Sequence, residues 1–306
     1  MPESQRMGDH QMIIRVSELR ASGASDADIR HAVAGLQRVA PGAYATTSNL
    51  TDEQLHLIRA RAVTARLQAV VCSHTTAALA WGLPVPERAL AKVQLSPIMG
   101  RSGNPKSGSD YRVHYRAVDP QDAHEVDDLL VTDPMRTVLE CPRVTTTDWA
   151  VVIADAAIHA RLVAPSTLIE TAAQVRGIRG AERVRALAGL VSRASESPGE
   201  TLLRLRLRRM GLDVVEQQSM PWVEGNPRVD FLVEGRLVVE FDGRGKYDIG
   251  GDPARAHWAE KRRHDRIVEA GYEVIHVTWD ELWDERALAR RIHAALARAH
   301  RRQPSQ

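Results

Sequence analysis

The sequence predicts an α/β protein, α+β overall, in three consecutive segments at about residues 1–50, 51–195 and 196–306. Three observations support this fold class. The 306 residues exceed what one ordinary hydrophobic core needs. Hydrophobic residues make up 43% and charged residues 26%, which is typical of folded chains. The last third alternates helix-like and strand-like patterns, as in a sheet with helices packed on it.

Composition and charge exclude several classes of protein. No apolar run approaches the ~18 residues of a membrane span, and the first residues lack a signal-peptide core. We therefore expect a cytoplasmic protein without a membrane partner. Two distant cysteines, Cys72 and Cys141, exclude a disulfide scaffold and a cysteine-rich zinc site. The net charge of only +2 excludes a strong polycation, although 37 residues are Arg and only 4 are Lys.

The first segment predicts two short helices followed by a hairpin. Apolar residues from Met12 to Leu19 repeat at helical spacing until Gly23. Ser25 and Asp28 have the spacing of a capping box at the start of a second helix. Two short strands then flank Pro41-Gly42. This order is typical of a winged helix-turn-helix, and the alternative is a small helical cap on the next domain.

The second segment begins with a helix at about residues 51–69. Ser73 is predicted to be the N-cap of a short helix that ends at Gly82 and Pro84. We expect Ser73 to act as a cap and not together with His74, because adjacent residues on a helix do not face each other. Further predicted elements are strands at 93–95 and 111–115 and helices after Asp133-Pro134, at 149–160 and at 181–193.

About residues 10–190 resemble the AbiEi-type antitoxin fold of actinobacterial proteins. The matching stretches are Arg38–Tyr44, Cys72–Pro84 and Thr132–Glu140. The resemblance implies DNA binding through the N-terminal winged helix, often as a repressor.

The third segment has the most regular pattern. Ser197-Pro198 opens a helix that runs to Met210, and Asp252-Pro253 opens a long helix that ends at Ala270-Gly271. Asp280 is predicted to cap a final helix. The predicted strands are 214–218, 228–233, 237–242 and 272–278.

Three carboxylates lie on the two central strands of this segment. Alternation places Glu240 and Asp242 on one face. A two-residue turn would put Asp230 on the wrong face, whereas an odd-numbered or bulged turn would put it beside Glu240. Because Gly235 lies in the turn, we predict a three-residue or bulged turn.

Clustered carboxylates repel one another unless a cation is present, and oxygen-rich sites suit Mg²⁺ or Mn²⁺. Such an ion polarises a phosphodiester and lowers the pKa of an attacking water. Lys246 follows Asp242 by four residues and Lys261 lies on the next helix, so either would stabilise charge on the transition state. The alternative is a strand pair whose edge carboxylates face solvent.

The third segment also resembles the domain of unknown function 559. That domain is similar to very-short-patch-repair endonucleases, within the restriction-endonuclease-like PD-(D/E)XK group. The matching residues are Glu200, Gln218, Val229–Phe231, Val239–Tyr247, Glu260–Asp265 and Gly271-Tyr272. The resemblance implies a restriction-endonuclease-like mixed sheet flanked by helices, with Asp230 and Glu240 as metal ligands.

The chain departs from that pattern at two positions. Asp242 stands where the broader group usually has its lysine, and Lys246 stands where many members of the domain have histidine. Asp242 would then complete the acidic site. Lys246 would stabilise charge but would be a poorer base.

Other charged residues leave alternatives open. Glu200 has the spacing of a capping box with Ser197, and the resemblance gives it a metal-associated role. The charged run 260–266 is either a solvated helix face or turns Lys261 or Arg263 toward the site. Arg204 and Arg208, at i and i+4, form a candidate phosphate-contacting stripe.

Three functions follow from these observations. The first is a Mg²⁺-dependent endodeoxyribonuclease whose winged helix holds DNA. The second is a non-enzymatic DNA-binding transcriptional regulator or antitoxin-like protein that retains a nuclease fold. The third is an interaction protein that binds a toxin-like partner through the middle segment.

Overall fold

The computed structural model describes residues 13–67, 69–101, 105–243 and 253–301. The chain divides into two compact units, Met1–Gly189 and Leu190–Gln306, called here the first and second unit. Both units combine helices with sheets, which confirms the mixed α and β class. Within the described ranges, no helix is long and apolar enough to cross a membrane.

A small three-stranded sheet opens the first unit. Its elements are β1 (Ile13–Arg15), α1 (Val16–Ala21), α2 (Asp26–Ala32), β2 (Gln37–Ala40) and β3 (Ala43–Ala45), with strand order β1-β3-β2. The predicted hairpin is confirmed. The capping box is confirmed too: the Ser25 backbone N–H donates to Asp28 Oδ2 at 3.0 Å, and the Asp28 N–H donates to Ser25 Oγ at 3.3 Å.

The helical prediction for Ile13 is wrong, and Met12 lies outside the described residues. Ile13 faces Ala45 in an antiparallel pair, so the helix begins only at Val16. The third strand of the sheet competes for residues whose spacing also fits a helix, and tertiary pairing overrides a weak local preference.

A five-stranded mixed sheet forms the rest of the first unit, with strand order β6-β5-β4-β8-β7. The elements are α3 (Asp52–Leu67), β4 (Val70–Cys72), α4 (His74–Ala80), β5 (Val93–Pro97), β6 (Tyr111–Val113), β7 (Ala123–Val126), β8 (Leu129–Thr132), α5 (Pro134–Glu140), α6 (Thr147–His159), α7 (Pro165–Gln174) and α8 (Ala181–Leu190). Short 3₁₀ helices span Glu87–Ala91, Pro120–Asp122 and Cys141–Arg143. Strands β4, β7 and β8 and helix α7 are absent from the sequence prediction.

The predicted capping role of the Ser73 side chain is wrong. Ser73 occupies the N-cap position of α4 but makes no side-chain cap bond. Its Oγ lies 2.9 Å from Nδ1 of His74 and accepts a hydrogen bond from Ser96 Oγ at 2.9 Å. The two adjacent side chains meet because His74 has a left-handed backbone, with φ +52°, so helical geometry does not separate them. Both residues are fully buried.

A four-stranded sheet with order β12-β11-β10-β9 forms the second unit. The elements are α9 (Pro198–Arg209), β9 (Val214–Ser219), β10 (Arg228–Val233), β11 (Leu237–Asp242), α10 (Pro253–Glu269), β12 (Glu273–Thr278), α11 (Trp279–Leu282) and α12 (Glu285–Arg301). Strand β10 pairs antiparallel with both β9 and β11, and β12 runs parallel to β11. Helix α10 makes the crossover that this parallel pair requires.

The prediction that Asp280 caps the last helix is wrong. Thr278 and Glu281 form a capping box at the short helix α11. Asp284 Oδ1 then accepts a hydrogen bond from the N–H of Ala287 at 2.9 Å, in the first turn of α12. Because the short helix α11 occupies Trp279–Leu282, the long helix α12 begins about one turn later than predicted.

Helices cover both faces of the second unit's sheet. On one face, Ile267 of α10 packs in a cluster with Val238 of β11. On the other face, Gly199 of α9 lies so close to Phe241 that an added Cβ would sit 1.9 Å from its ring. Glycine therefore permits the start of α9 to approach the end of β11.

Candidate functional site

The β10–β11 hairpin positions the two central carboxylates. Val233 pairs with Leu237, which leaves three residues, Glu234–Arg236, in the turn. This confirms the predicted three-residue turn. Phe231 faces Val239, and this parity places Asp230 and Glu240 on the same face of the sheet. Oδ2 of Asp230 accepts a hydrogen bond from the N–H of Phe241 at 2.8 Å.

Glu240 is buried and ion-paired with Arg263 of α10. Nη2 of Arg263 donates to both carboxylate oxygens of Glu240, at 2.7 Å each. The same nitrogen lies 2.6 Å from Oε1 of Glu260, and Nη1 donates to the carbonyl oxygen of Arg228 at 3.1 Å. Burial lowers the pKa of Arg263, but its hydrogen bonds to Glu260 and the charge of Glu240 more than offset this and raise it.

Glu200 lies at the start of α9, and its carboxylate has three hydrogen-bond donors. Oε1 accepts from Ser197 Oγ at 2.8 Å, and Oε2 accepts from the Glu196 N–H at 3.0 Å and from Gln217 Nε2 at 2.8 Å. Ser197 Oγ in turn accepts from the Glu200 N–H at 3.2 Å. The predicted capping pair forms, but Glu200 reaches back to the residue before the N-cap.

Burial raises the pKa of Glu200, and the nearby charge of Asp230 adds to the rise. The hydrogen bonds from the Glu196 backbone and from Ser197 oppose this shift. Glu200 therefore caps α9 and also lies within the electrostatic reach of Asp230.

Gln217 is a site residue that the sequence analysis missed. Gln218, the residue named in the sequence pattern, donates its amide N–H to the carbonyl oxygen of its neighbour Ser219. Gln217 instead contacts Glu200 and has a left-handed backbone with φ +47°, which costs a non-glycine residue about 1 kcal/mol. Two adjacent glutamines gave no signal to choose between them.

A histidine also lies beside Glu240, and a second histidine stacks on the first. The parallel register places His276 of β12 next to Glu240, and His276 Nδ1 lies 3.7 Å from Glu240 Oε2. The His264 ring stacks on His276 with centroids 5.8 Å apart. The sequence analysis missed His276, although a polar residue on an alternating strand was an available signal.

The remaining predicted site residues are Asp242, Lys246 and Lys261. Asp242 is exposed at the end of β11, and Lys246 lies outside the described residues. Lys261 is exposed, with Nζ 5.4 Å from the centroid of the Trp258 ring. Of the two alternatives on this helix, Arg263 is the one that contacts Glu240, and the role of Lys261 stays a prediction.

The predicted phosphate-contacting stripe on α9 is also wrong. Arg204 is fully buried; its Nε lies 3.3 Å from Glu216 Oε2, and it donates to the carbonyl oxygen of Leu190 at 2.6 Å. Arg208 pairs with the same glutamate at 2.8 Å. This stripe of α9 packs on β9, where Glu216 forms ion pairs with both guanidinium groups.

The donor chemistry of the site suits Mg²⁺ or Mn²⁺, because Asp230, Glu240 and Glu200 offer only carboxylate oxygens. Within the described parts of the chain, however, no three Asp, Glu, His or Cys side chains are close enough to hold a metal ion. Both oxygens of Glu240 are bound to Arg263. A cation that binds Glu240 must therefore displace Arg263.

Comparisons with known proteins do not assign the chain to a family. No family model matches the sequence, and no curated protein matches it. Any functional conclusion rests on the residues and their geometry, and the two resemblances described above stay predictions.

Proposed function

We propose that the second unit is a metal-dependent DNA endonuclease domain and that the helices and hairpin of residues 13–45 hold DNA as a winged helix. One observation carries the proposal: the three-residue turn has the parity that puts Asp230 and Glu240 on the same face of adjacent strands. Clustered carboxylates repel one another unless a cation is present, and in the described structure that cation is Arg263, which is bound to Glu240.

In this proposal Asp230 and Glu240 hold Mg²⁺ or Mn²⁺, and Asp242 at the exposed end of β11 completes the acidic site. When bound, the ion polarises the scissile phosphate and lowers the pKa of a water molecule. Glu200 adds negative charge near Asp230 and is held in place by Gln217. Lys246 is the proposed stabiliser of charge on the phosphate.

Arg263 neutralises Glu240 before a cation arrives. Its guanidinium already bonds to Glu260 on the same helix, so it keeps a carboxylate partner when Glu240 turns to a metal ion. The positive charge of Arg263 then stays near the site, where it favours the approach of a phosphate.

A second function is favoured by the same ion pair. If Arg263 holds Glu240 permanently, the second unit is a binding module, and the protein is a non-enzymatic DNA-binding regulator or an antitoxin-like protein. The absence of a three-ligand group among the described side chains favours this alternative. A toxin-like partner bound through the middle segment is a variant of it, and a neighbouring toxin-like gene would support that variant.

Cleavage of supercoiled plasmid with Mg²⁺ or Mn²⁺ tests the proposal. Asp230→Asn keeps an acceptor for the Phe241 N–H but removes the charge, and Asp265→Asn on the exposed part of α10 is the matched control. We expect nicking or linearisation by the wild type and by Asp265→Asn, and none by Asp230→Asn. A folded wild type that binds DNA but cuts neither plasmid, single strands nor mismatched duplex would favour the regulator.

A further inference from the structure

A basic pocket lies in the first unit, apart from any residue used in the proposed cleavage site. The pocket encloses about 480 Å³, within the range of about 300–1,000 Å³ that is typical of small-molecule sites. Six of its lining residues have polar or aromatic side chains suited to binding a ligand. They are Arg112, Arg116, Arg143, Arg179, His114 and Tyr115.

Three separate parts of the chain supply the four arginines. Arg112 belongs to β6 and Arg116 follows that strand, Arg143 ends a 3₁₀ helix, and Arg179 precedes α8. Two contacts hold these parts in place. Nη2 of Arg136 donates to the carbonyl oxygen of Arg116 at 3.2 Å, and the α carbon of Gly180 is so close to Arg143 that a Cβ would meet Cγ at 3.5 Å.

The positive charge of the pocket is only partly balanced by the described protein. No acidic side chain among the described residues forms an ion pair with any of its four lining arginines. The buried carboxylate of Glu140 interacts electrostatically with Arg143 and Arg116, but its hydrogen bond comes from Arg136 Nε, at 2.9 Å. Four guanidinium groups around one cavity repel one another, and a multivalent anion relieves that repulsion through paired hydrogen bonds.

A histidine stack forms one wall of the pocket. His114 lines the cavity, and its ring lies 3.6 Å from that of the buried His74. Burial, together with the charges of Arg112 and Arg143, lowers the pKa of His114 to about 4. Nε2 of His74 is buried and makes no hydrogen bond to any described group. Burial, together with the charges of His114 and Arg143, also lowers the pKa of His74 well below its usual value, so the positive charge of the pocket comes from the arginines.

Tyr115 distinguishes this pocket from a plain phosphate site. Tyr115 belongs to the same lining as the four arginines, and its side chain is fully exposed. An exposed aromatic side chain can stack on a nucleobase while guanidinium groups of the same pocket hold the phosphate.

We propose that this pocket binds the phosphate ester of a nucleotide, with the arginines on the phosphate and Tyr115 against the base. The nucleotide is either free or part of a DNA strand, since both present the same phosphate and base. The site is independent of metal-dependent cleavage, because none of its residues belongs to the second unit.

Calorimetric titration of the full chain with deoxyadenosine 5′-monophosphate, deoxyadenosine and inorganic phosphate tests the ligand class. A short single-stranded oligonucleotide, followed by fluorescence anisotropy, tests the strand. The variant Arg112→Gln/Arg116→Gln removes two exposed pocket arginines. The variant Arg88→Gln/Arg161→Gln removes two exposed arginines of the same unit outside the pocket.

We expect the pocket variant to weaken binding of the mononucleotide or the oligonucleotide at least about tenfold, because each charge-assisted bond contributes substantially. The control variant should bind like the wild type, and deoxyadenosine should bind far more weakly than its monophosphate. Binding of the mononucleotide assigns a free nucleotide, whereas binding of the oligonucleotide alone assigns a strand. Equal binding of every ligand by wild type and pocket variant, with unchanged melting temperatures, would overturn the proposal.

Tyr115→Ala and Tyr115→Phe test the base contact. Tyr115→Ala should weaken binding of the nucleotide ligand severalfold and leave inorganic phosphate unchanged, whereas Tyr115→Phe should preserve both. Because these readouts measure binding without metal, they distinguish failure of this site from failure of the cleavage site. Loss of nucleotide binding in Tyr115→Phe as well would contradict stacking.

Discussion

Arg263→Met removes the partner that holds Glu240. The substitution leaves a carboxylate that is only 6% exposed without the two 2.7 Å hydrogen bonds that it accepts in the wild type. Breaking a buried pair from one side costs about 3–5 kcal/mol. The Arg263 side chain is 28% exposed, so water partly replaces it, and we expect a loss of about 2–3 kcal/mol.

Thermal and urea unfolding in EDTA, followed by circular dichroism, measure this loss. For a unit of this size it corresponds to a fall of roughly 8–12 °C in the melting temperature of the second unit. Arg262→Met, at the exposed neighbouring position on α10, is the control and should change stability little. In a Glu240→Gln background, Arg263→Met should also cost much less, because no buried charge is left behind.

Mg²⁺ should act differently on wild type and variant. In Arg263→Met no guanidinium competes for Glu240, so we expect Mg²⁺ or Mn²⁺ to bind more tightly and to restore much of the lost stability. Equal losses in Arg262→Met and Arg263→Met would refute the ion pair. A full loss in Arg263→Met without recovery in either metal would refute the metal site and leave the ion pair intact.

Three further predictions concern packing and pH. Gly199→Ala should destabilise the second unit by about 2–3 kcal/mol in urea unfolding, because an added Cβ would lie 1.9 Å from the Phe241 ring and the ring must move by about 1.5 Å. The control Gly189→Ala has open space around it and should stabilise α8 by about 0.5–1 kcal/mol. Similar effects of the two substitutions would refute the close approach of Gly199 to Phe241. The pKa of Glu200 is raised above its ordinary value near 4.5, so its contribution to stability is present below pH 4.5 and is lost as pH rises through the folded pKa. In Glu200→Gln, the free energy of unfolding measured across that pH range should fall less with pH than in the wild type. An unchanged dependence of the unfolding free energy on pH would contradict the raised pKa. The pKa of His114 is lowered from 6.5 to about 4, so its contribution to stability is present above pH 6.5 and is lost as pH falls toward 4. This loss of up to about 3 kcal/mol in unfolding free energy should be smaller in His114→Gln. An identical dependence of stability on pH in wild type and variant would refute the burial of a neutral ring.

The sequence predicts the second unit's strands well because its apolar residues alternate regularly between turn signals. The three-residue turn was predicted from Gly235, and only an odd turn lets Asp230 and Glu240 share a face. Strands β4 and β8 were not predicted because they are short, largely apolar runs without alternation. Strand β7 was also not predicted.

Side-chain partners were harder to predict than strands. Arg204 lies on a helix face that looks exposed in sequence, yet it is buried against Glu216 of the next strand. Arg263 and Lys261 differ by two positions, and only the packing of α10 decides which one faces Glu240. The basic pocket of the first unit draws on three distant stretches, so no local pattern marks it.

The central claim is that Asp230 and Glu240 hold a divalent metal ion for DNA cleavage. Electron paramagnetic resonance of Mn²⁺ in the presence of duplex DNA tests this claim most directly, because it counts bound ions without requiring turnover. We predict that the wild type and Asp265→Asn bind at least one Mn²⁺ per chain and that Asp230→Asn loses it. Equal Mn²⁺ binding by wild type and Asp230→Asn, or none by either, would contradict the account.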